Sequence, residues 1–320
     1  MSITRRAALV APAVLPAVGL AASPGVAATP QPRARSAFRY IDFRIRPPFR
    51  SFRNTFAEFR NDVPDERMMA NLIASMDRAN VELGVAMGRF NRRVRVANED
   101  VAALVRTYPG RFAGYGSVDV TNPSKGVDEV KLCADLGLRG IAFDNPDNGL
   151  HNDDKSLFPI YEACVRNNLV ISINASSFIG PNISFTDPSR IQTVAVQFPQ
   201  HPVLVTHGAW PYVNEMVALA YMGMVNGGRP NIYFQIDYAL MGDKMFPGSQ
   251  AYIDAINISG VELRGRSPAV YKKAIFGSSY PVITIESAVQ RFETLDLTHP
   301  DARRCVGRDN ALDLLNYRGN

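Results

Sequence analysis

The stretch GLRGIAFDNPDNGLHNDDKSLFPIYEACVRNNLVISIN, residues 137–174, contains one complete strand–helix–strand unit. GIAF (140–143) and VISIN (170–174) are short apolar runs of strand length. Between them, SLFPIYEACVRNN (156–168) mixes apolar and polar residues in a helical rhythm. A strand that returns through a helix runs parallel to the one it left, with a right-handed crossover.

The unit recurs in both directions. The other candidate strands are YIDFRI (40–45), LGVAM (83–87), FAGYGSV (112–118), VLVT (203–206), NIYFQID (231–237) and AIFG (274–277). DERMMANLIASMDRAN (65–80) places Met68, Met69, Leu72, Ile73 and Met76 on one helical face. NEDVAALVRTY (98–108) opens on a helix start signal, and DPSRIQTVAVQF (187–198) and IESAVQRFETL (285–295) follow the same pattern. ARRCVGRDNALDLLN (302–316) closes the chain. Eight such strands alternating with helices over about 280 residues predict an α/β fold, a closed (β/α)8 TIM-like barrel. An open doubly wound sheet is the alternative, weakened because no Gly-x-Gly-x-x-Gly turn follows a strand. The long connection Phe49 to Pro64 falls at the C-terminal face of a barrel, where it could serve as a lid.

The chain has 320 residues, 46% of them hydrophobic and 20% charged, enough for a full core in one large domain. Its first segment reads differently. Arg5-Arg6 precede a weak apolar run broken by Pro12 and Pro16, and GVAATP offers a cut before Thr29. That is the layout of an export signal, and the arginine pair favours the twin-arginine route. We expect residues 1–28 as signal, 29–38 as linker and 39–320 as the barrel domain, with the mature protein periplasmic or secreted and without a membrane span. Removing Arg5 and Arg6 lowers the net charge from +5 to +3, too little to argue for nucleic acid. The cysteines, Cys133, Cys164 and Cys305, are too scattered for a disulfide framework or a metal cluster. A homo-oligomer is left open.

Positive charge is local. RFNRRVR (89–95) reads as a solvated loop. Arg44 and Arg46 pose a harder question, because residues two apart on a strand face the same way. The strand therefore aims two permanent charges off one face.

Several segments together resemble the amidohydrolase superfamily, in its branch of metal-dependent decarboxylases and lactone hydrolases. The opening stretch is similar to that branch's fourth strand, fourth helix and fifth strand. FPQHPVLVTHGAWPYVNEMVALA (198–220) looks like its sixth strand and following helix, and NIYFQID and KAIFGSSYP (273–281) like its last two strands. The resemblance implies metal ligands at five positions. Where the family has Asp-x-His-x-His on strand 1, this chain has Asp42-Phe43-Arg44-Ile45-Arg46; strand 5 ends in Asn174, strand 6 keeps His207, and the last motif reads GSSYP with Ser279 for Asp. Arginine has donors only and stays protonated, so it cannot ligate a cation. We therefore expect no metal and no other cofactor.

A buried guanidinium needs an anion. Asp42, Asp144 or Asp237 could supply it internally, or a small anionic molecule could do so from outside. His207, which titrates near neutrality, is the candidate acid/base group, assisted by Asp144 or Asp237. Arg44, Arg46, Asn174, Ser279, Tyr280 and Trp210 are candidate substrate contacts. His151, His201 and His299 sit in loop contexts that predict surface positions. The resulting expectation is a metal-independent enzyme acting on a small carboxylated substrate, aromatic or lactone, by hydrolysis or related proton transfer. The rival is a non-catalytic binding or assembly protein on the same barrel.

Overall fold

The computed structural model describes residues 37–320, apart from 54, 57, 60–61, 63–64, 177–179, 227–228, 230, 242–244, 259–264, 266–267 and 320. The signal expected over 1–28 and most of the linker lie outside the described residues.

Eight parallel strands follow one another around the sheet in sequence order: β1 (Tyr40–Ile45), β2 (Val81–Met87), β3 (Phe112–Ser117), β4 (Gly140–Phe143), β5 (Val170–Asn174), β6 (Val203–Thr206), β7 (Ile232–Gln235) and β8 (Ala274–Ile275). They alternate with α1 (Asp65–Arg78), α2 (Asn98–Thr107), α3 (Pro123–Asp135), α4 (Phe158–Arg166), α5 (Pro188–Gln197), α6 (Val213–Val225), α7 (Gln250–Asn257) and α8 (Ile285–Thr294). This is the expected (β/α)8 barrel. Helices α3, α6 and α7 lie outside the periodic stretches read from sequence, α6 being expected from the family resemblance alone. The start of α3 is set by chemistry rather than periodicity: Asn122 caps the Lys125 N–H at 3.2 Å, and Pro123 enters at the first turn.

Two hydrophobic layers hold the barrel. Ile45, Met76, Val101, Ile160 and Phe292 belong to the layer between strands and helices. Phe43, Met87, Tyr115, Leu204 and Ile275 form a separate inner cluster, into which Ala311, Leu314 and Leu315 of the closing helix pack.

The seam between β8 and β1 is stitched rather than laddered. Phe43 N–H reaches Phe276 O at 3.1 Å and Arg46 N–H reaches Tyr280 O at 3.0 Å. Asp42 Oδ1 adds a side-chain stitch, accepting from Arg44 N–H at 3.0 Å and Ser278 N–H at 2.9 Å. Beside this stitch the β1–β2 register slips: Asp42 pairs with Gly84 and Ile45 with Ala86, three steps against two. Such a bulge re-aims side chains. It lets Phe43 face inward against Tyr115 and Ile45 face α1, while Arg44 and Arg46 both open onto the barrel mouth.

The Phe49–Pro64 connection carries a short helical turn, Arg50–Phe52, and an aromatic ladder. Phe49, Phe52, Phe56 and Phe59 meet in succession, tilted or edge to face, and Phe59 meets Tyr280 with ring centroids 6.2 Å apart. Phe52 and Phe59 are buried, so this part is packed onto the barrel.

The histidines expected at the surface are packed. His201 is buried, its Nε2 2.9 Å from Leu169 O, and burial pushes its pKa down to about 4. His151 stacks on Phe185 and His299 on Tyr271, both half-buried.

Candidate active site

The strand ends that face one another across the C-terminal mouth supply the polar groups. Arg44 and Arg46, 4% and 6% exposed, come from β1. Arg44 Nη2 donates to Asn174 Oδ1 at 3.2 Å, and Thr206 Oγ1 donates to the same oxygen at 3.2 Å. The Asn174 amide then donates to Asp144 Oδ1 at 2.5 Å. Arg46 reaches the Ser279 carbonyl at 3.5 Å and lies 5.5 Å from the Phe56 ring centroid. Among the described residues, no carboxylate lies within ion-pairing distance of either guanidinium, and Arg44 Nε has no partner.

The acids expected to neutralise them are engaged elsewhere. Asp144 faces Arg89, its Oδ2 3.3 Å from Nε, an ion pair without hydrogen-bond alignment. Arg89 also donates to Asp147 Oδ2 at 2.8 Å, as does Asn91. Asp42 is spent on backbone N–H groups, and burial pushes its pKa up to about 6. Asp237 accepts from His207 Nδ1 at 2.6 Å and from Ser279 Oγ at 2.5 Å. Asp237 and Asp144 favour the Arg44 charge through space, but burial outweighs them and holds Arg44 below its ordinary value. Burial acts likewise on Arg46, reinforced by the Arg44 and Arg89 charges. A guanidinium does not shed its proton in proteins, so both charges stay buried at the cost of their desolvation.

His207 stands in the turn after β6 with φ +62°, and Ala209 has φ +57°. Left-handed backbone at such residues costs about 1–3 kcal/mol and gathers at functional sites. Gly208 between them is required by space as well: a Cβ there would sit 2.5 Å from Tyr252 Oη and 2.7 Å from Gln235 O. Burial pushes His207 down to about 4, with the Arg44 and Arg46 charges adding to it against the pull of Asp237. Burial acts to raise Asp237, but His207 and Arg44 outweigh it and hold the carboxyl below its ordinary value. The pair is thus neutral imidazole beside carboxylate. Nδ1 carries the proton given to Asp237, and Nε2 is left as a base.

Arg44, Arg46, Asn174 and Asp144 line one small cavity together with Arg89, Ser172 and Thr206. The His207–Asp237–Ser279 cluster lies beside it, coupled through charge. Tyr280 packs against Phe59 and Trp210 against Tyr238 and Phe246; neither lines that cavity. Two residues escaped the sequence reading. Arg89 is not part of a solvated loop: its side chain is 17% exposed and held by two acids. Its position, two residues beyond the end of β2, is the signal that could have found it. Tyr238, next to Asp237, brings its ring within 5.3 Å of His207.

The amidohydrolase family model matches residues 41–317. The chain belongs to that family. It is similar, at 34% identity over 84 residues, to 2-amino-3-carboxymuconate-6-semialdehyde decarboxylase of Dictyostelium discoideum. It is 29% identical over 98 residues to gamma-resorcylate decarboxylase of Polaromonas sp.. The matched segments are 26% and 30% of this chain and span only 23% and 29% of those relatives. An uncharacterised TIM-barrel protein of Bordetella bronchiseptica superposes with a TM-score of 0.74 at 28% identity, over 87% of this chain and 98% of that one.

A divalent cation, as the amidohydrolase resemblance implies, does not fit the residues present. At the five positions stand two guanidiniums that would repel it, an amide already bonded on both ends, a hydroxyl given to Asp237, and His207. Among the described residues no three His, Cys, Asp or Glu side chains converge as a metal site.

Proposed function

We propose that this amidohydrolase-family chain is an enzyme that works without a divalent metal on a small carboxylated substrate, using Arg44 and Arg46 for the anion and His207 as general base. The observation that carries the reading is the pair of buried guanidiniums without carboxylate partners among the described residues, next to a histidine held neutral. Fixed positive charge in a water-poor mouth can stabilise an oxyanion as it forms, the task a metal performs elsewhere. With its Nδ1 proton directed at Asp237, His207 can take a proton from water only at Nε2. That combination favours attack of water on an ester or lactone carbonyl over protonation of a carbon.

The two curated relatives, both named as decarboxylases, support loss of CO2 from a carboxylated substrate as the second reading. Assay of a panel of carboxylated lactones and aromatic acids, following ring opening and CO2 release separately, tests both. Loss of turnover in Arg44→Ala and His207→Ala is expected. Full turnover in His207→Ala would remove the base assignment.

A further inference from the structure

The inner cavity lined by Arg44 and Arg46 has about 10 Å³ of free volume, the space of a single water. A far larger cavity of about 410 Å³ adjoins it, walled by Thr55, the Arg89–Val94 loop, Pro146–Gly149 and Gly180–Pro181. All four segments follow strands at the C-terminal face. Arg89 is the one described residue that lines both cavities.

The outer cavity is also charged. Its described lining carries three arginines, Arg89, Arg92 and Arg93, against one acid, Asp147, and Asp147 is already taken by Arg89 and Asn91. Arg92 donates to Asn148 O at 3.4 Å, and among the described residues neither Arg92 nor Arg93 has a carboxylate within ion-pairing distance. Gly149, with φ +79°, keeps this place open: a Cβ there would meet Arg92 Nη2 at 3.2 Å. A ring-sized molecule fits the outer volume and not the inner one, so a ligand that places an acid on Arg44 and Arg46 must leave its body in the outer cavity.

We propose that the outer cavity is a second anion subsite and that the ligand is a small molecule with two acidic groups, one held by Arg44 and Arg46 and the other by Arg92 and Arg93, with Arg89 as the shared wall that shifts to admit it. This rests on the carboxylate reading of the inner arginines given above. Two separated guanidinium pairs, each without a carboxylate at ion-pairing distance among the described residues, match a dianion better than a monoanion, which would leave one pair unmatched.

The test is calorimetric binding by the full chain, at physiological ionic strength, of matched mono- and dicarboxylates: butyrate with succinate through heptanoate with pimelate, and benzoate with isophthalate. At least one diacid is expected to bind about tenfold or more tighter than its monoacid. In the Arg92→Ala/Arg93→Ala double variant, whose changed side chains are exposed, that preference should fall to within about twofold while monoacid affinity stays. Arg92→Lys/Arg93→Lys should restore part of it. No diacid preference in the wild type, or equal weakening of mono- and diacids in the double variant, overturns the second subsite and leaves the inner reading standing. A diacid preference that survives Arg44→Ala overturns the inner reading and leaves the outer subsite standing. Absence of binding by every acid overturns both.

Discussion

His207 and Asp237 meet at 2.6 Å as a neutral imidazole and a charged carboxylate, and that charge state decides what the site can do. An imidazole with its pKa near 4 remains a base across the whole neutral range. Turnover should therefore rise with pH through a midpoint about 4 and stay flat from pH 6 to 8, rather than titrate near 6.5. His207→Ala should cost about 10²- to 10⁴-fold in kcat, the usual worth of a positioned acid/base group. A pH–rate profile with its midpoint near 6.5 would show that the imidazole is not held as described.

Asp42 and His207 pull stability in opposite directions over nearly the same pH range. His207 binds its proton less readily folded, about 4, than unfolded, 6.5, so its contribution grows as pH rises through that window. Asp42 is raised to about 6 from 3.8, so the folded state holds the extra proton and stability falls as pH rises through its window. Each amounts to about 3 kcal/mol. Asp42→Asn keeps an acceptor for the Arg44 and Ser278 N–H groups and removes only the titration. The stability difference between variant and wild type should grow by about 2 kcal/mol in favour of the variant from pH 4 to pH 6.5. Urea denaturation at several pH values measures it, and a constant difference would mean that Asp42 is charged throughout.

Arg44 is predicted to cost stability in the absence of ligand. Its guanidinium is buried, and among the described residues its hydrogen-bond partner is an amide oxygen rather than a carboxylate. Breaking a matched buried pair is destabilising, but removing a charge without a paired counterion relieves a desolvation cost that offsets the lost Asn174 hydrogen bond and the through-space pull of Asp237 and Asp144. Arg44→Met should melt no lower than wild type. A carboxylate at a hundred times its Kd should stabilise the wild type by about 2.7 kcal/mol and Arg44→Met hardly at all. A variant that melts far lower and still gains from the carboxylate would place the anion elsewhere.

The barrel was legible because βα alternation is written in short windows. GIAF, VISIN and VLVT each became a strand at the same residues. The site was legible only in part. Strand alternation put Arg44 and Arg46 on one side, but the bulge that lets Phe43 also face inward depends on a β1–β2 register no single strand reveals. Pairing was less readable still. Asp144 looked like a partner for Arg44, yet Asn174 stands between them and Arg89, from a loop that read as solvated, takes the carboxylate. Such choices are made between loops far apart in sequence, where periodicity carries no information.

The donor set at the mouth predicts how metal binding should respond to substitution. Imidazole and carboxylate offer lone pairs to zinc, whereas guanidinium offers none and repels the ion. The wild type, purified without chelator and incubated with zinc, manganese or iron, should retain well under one equivalent by elemental analysis. The fourfold variant Arg44→His, Arg46→His, Asn174→His and Ser279→Asp supplies four new ligands around His207, and its last change sets a second carboxylate beside Asp237. Two such carboxylates repel one another unless a cation joins them. The variant should therefore bind close to one equivalent and melt higher with metal than without. Stoichiometric metal in the wild type would mean that another set of residues holds it, and the guanidiniums would then need an explanation other than replacement of the ion.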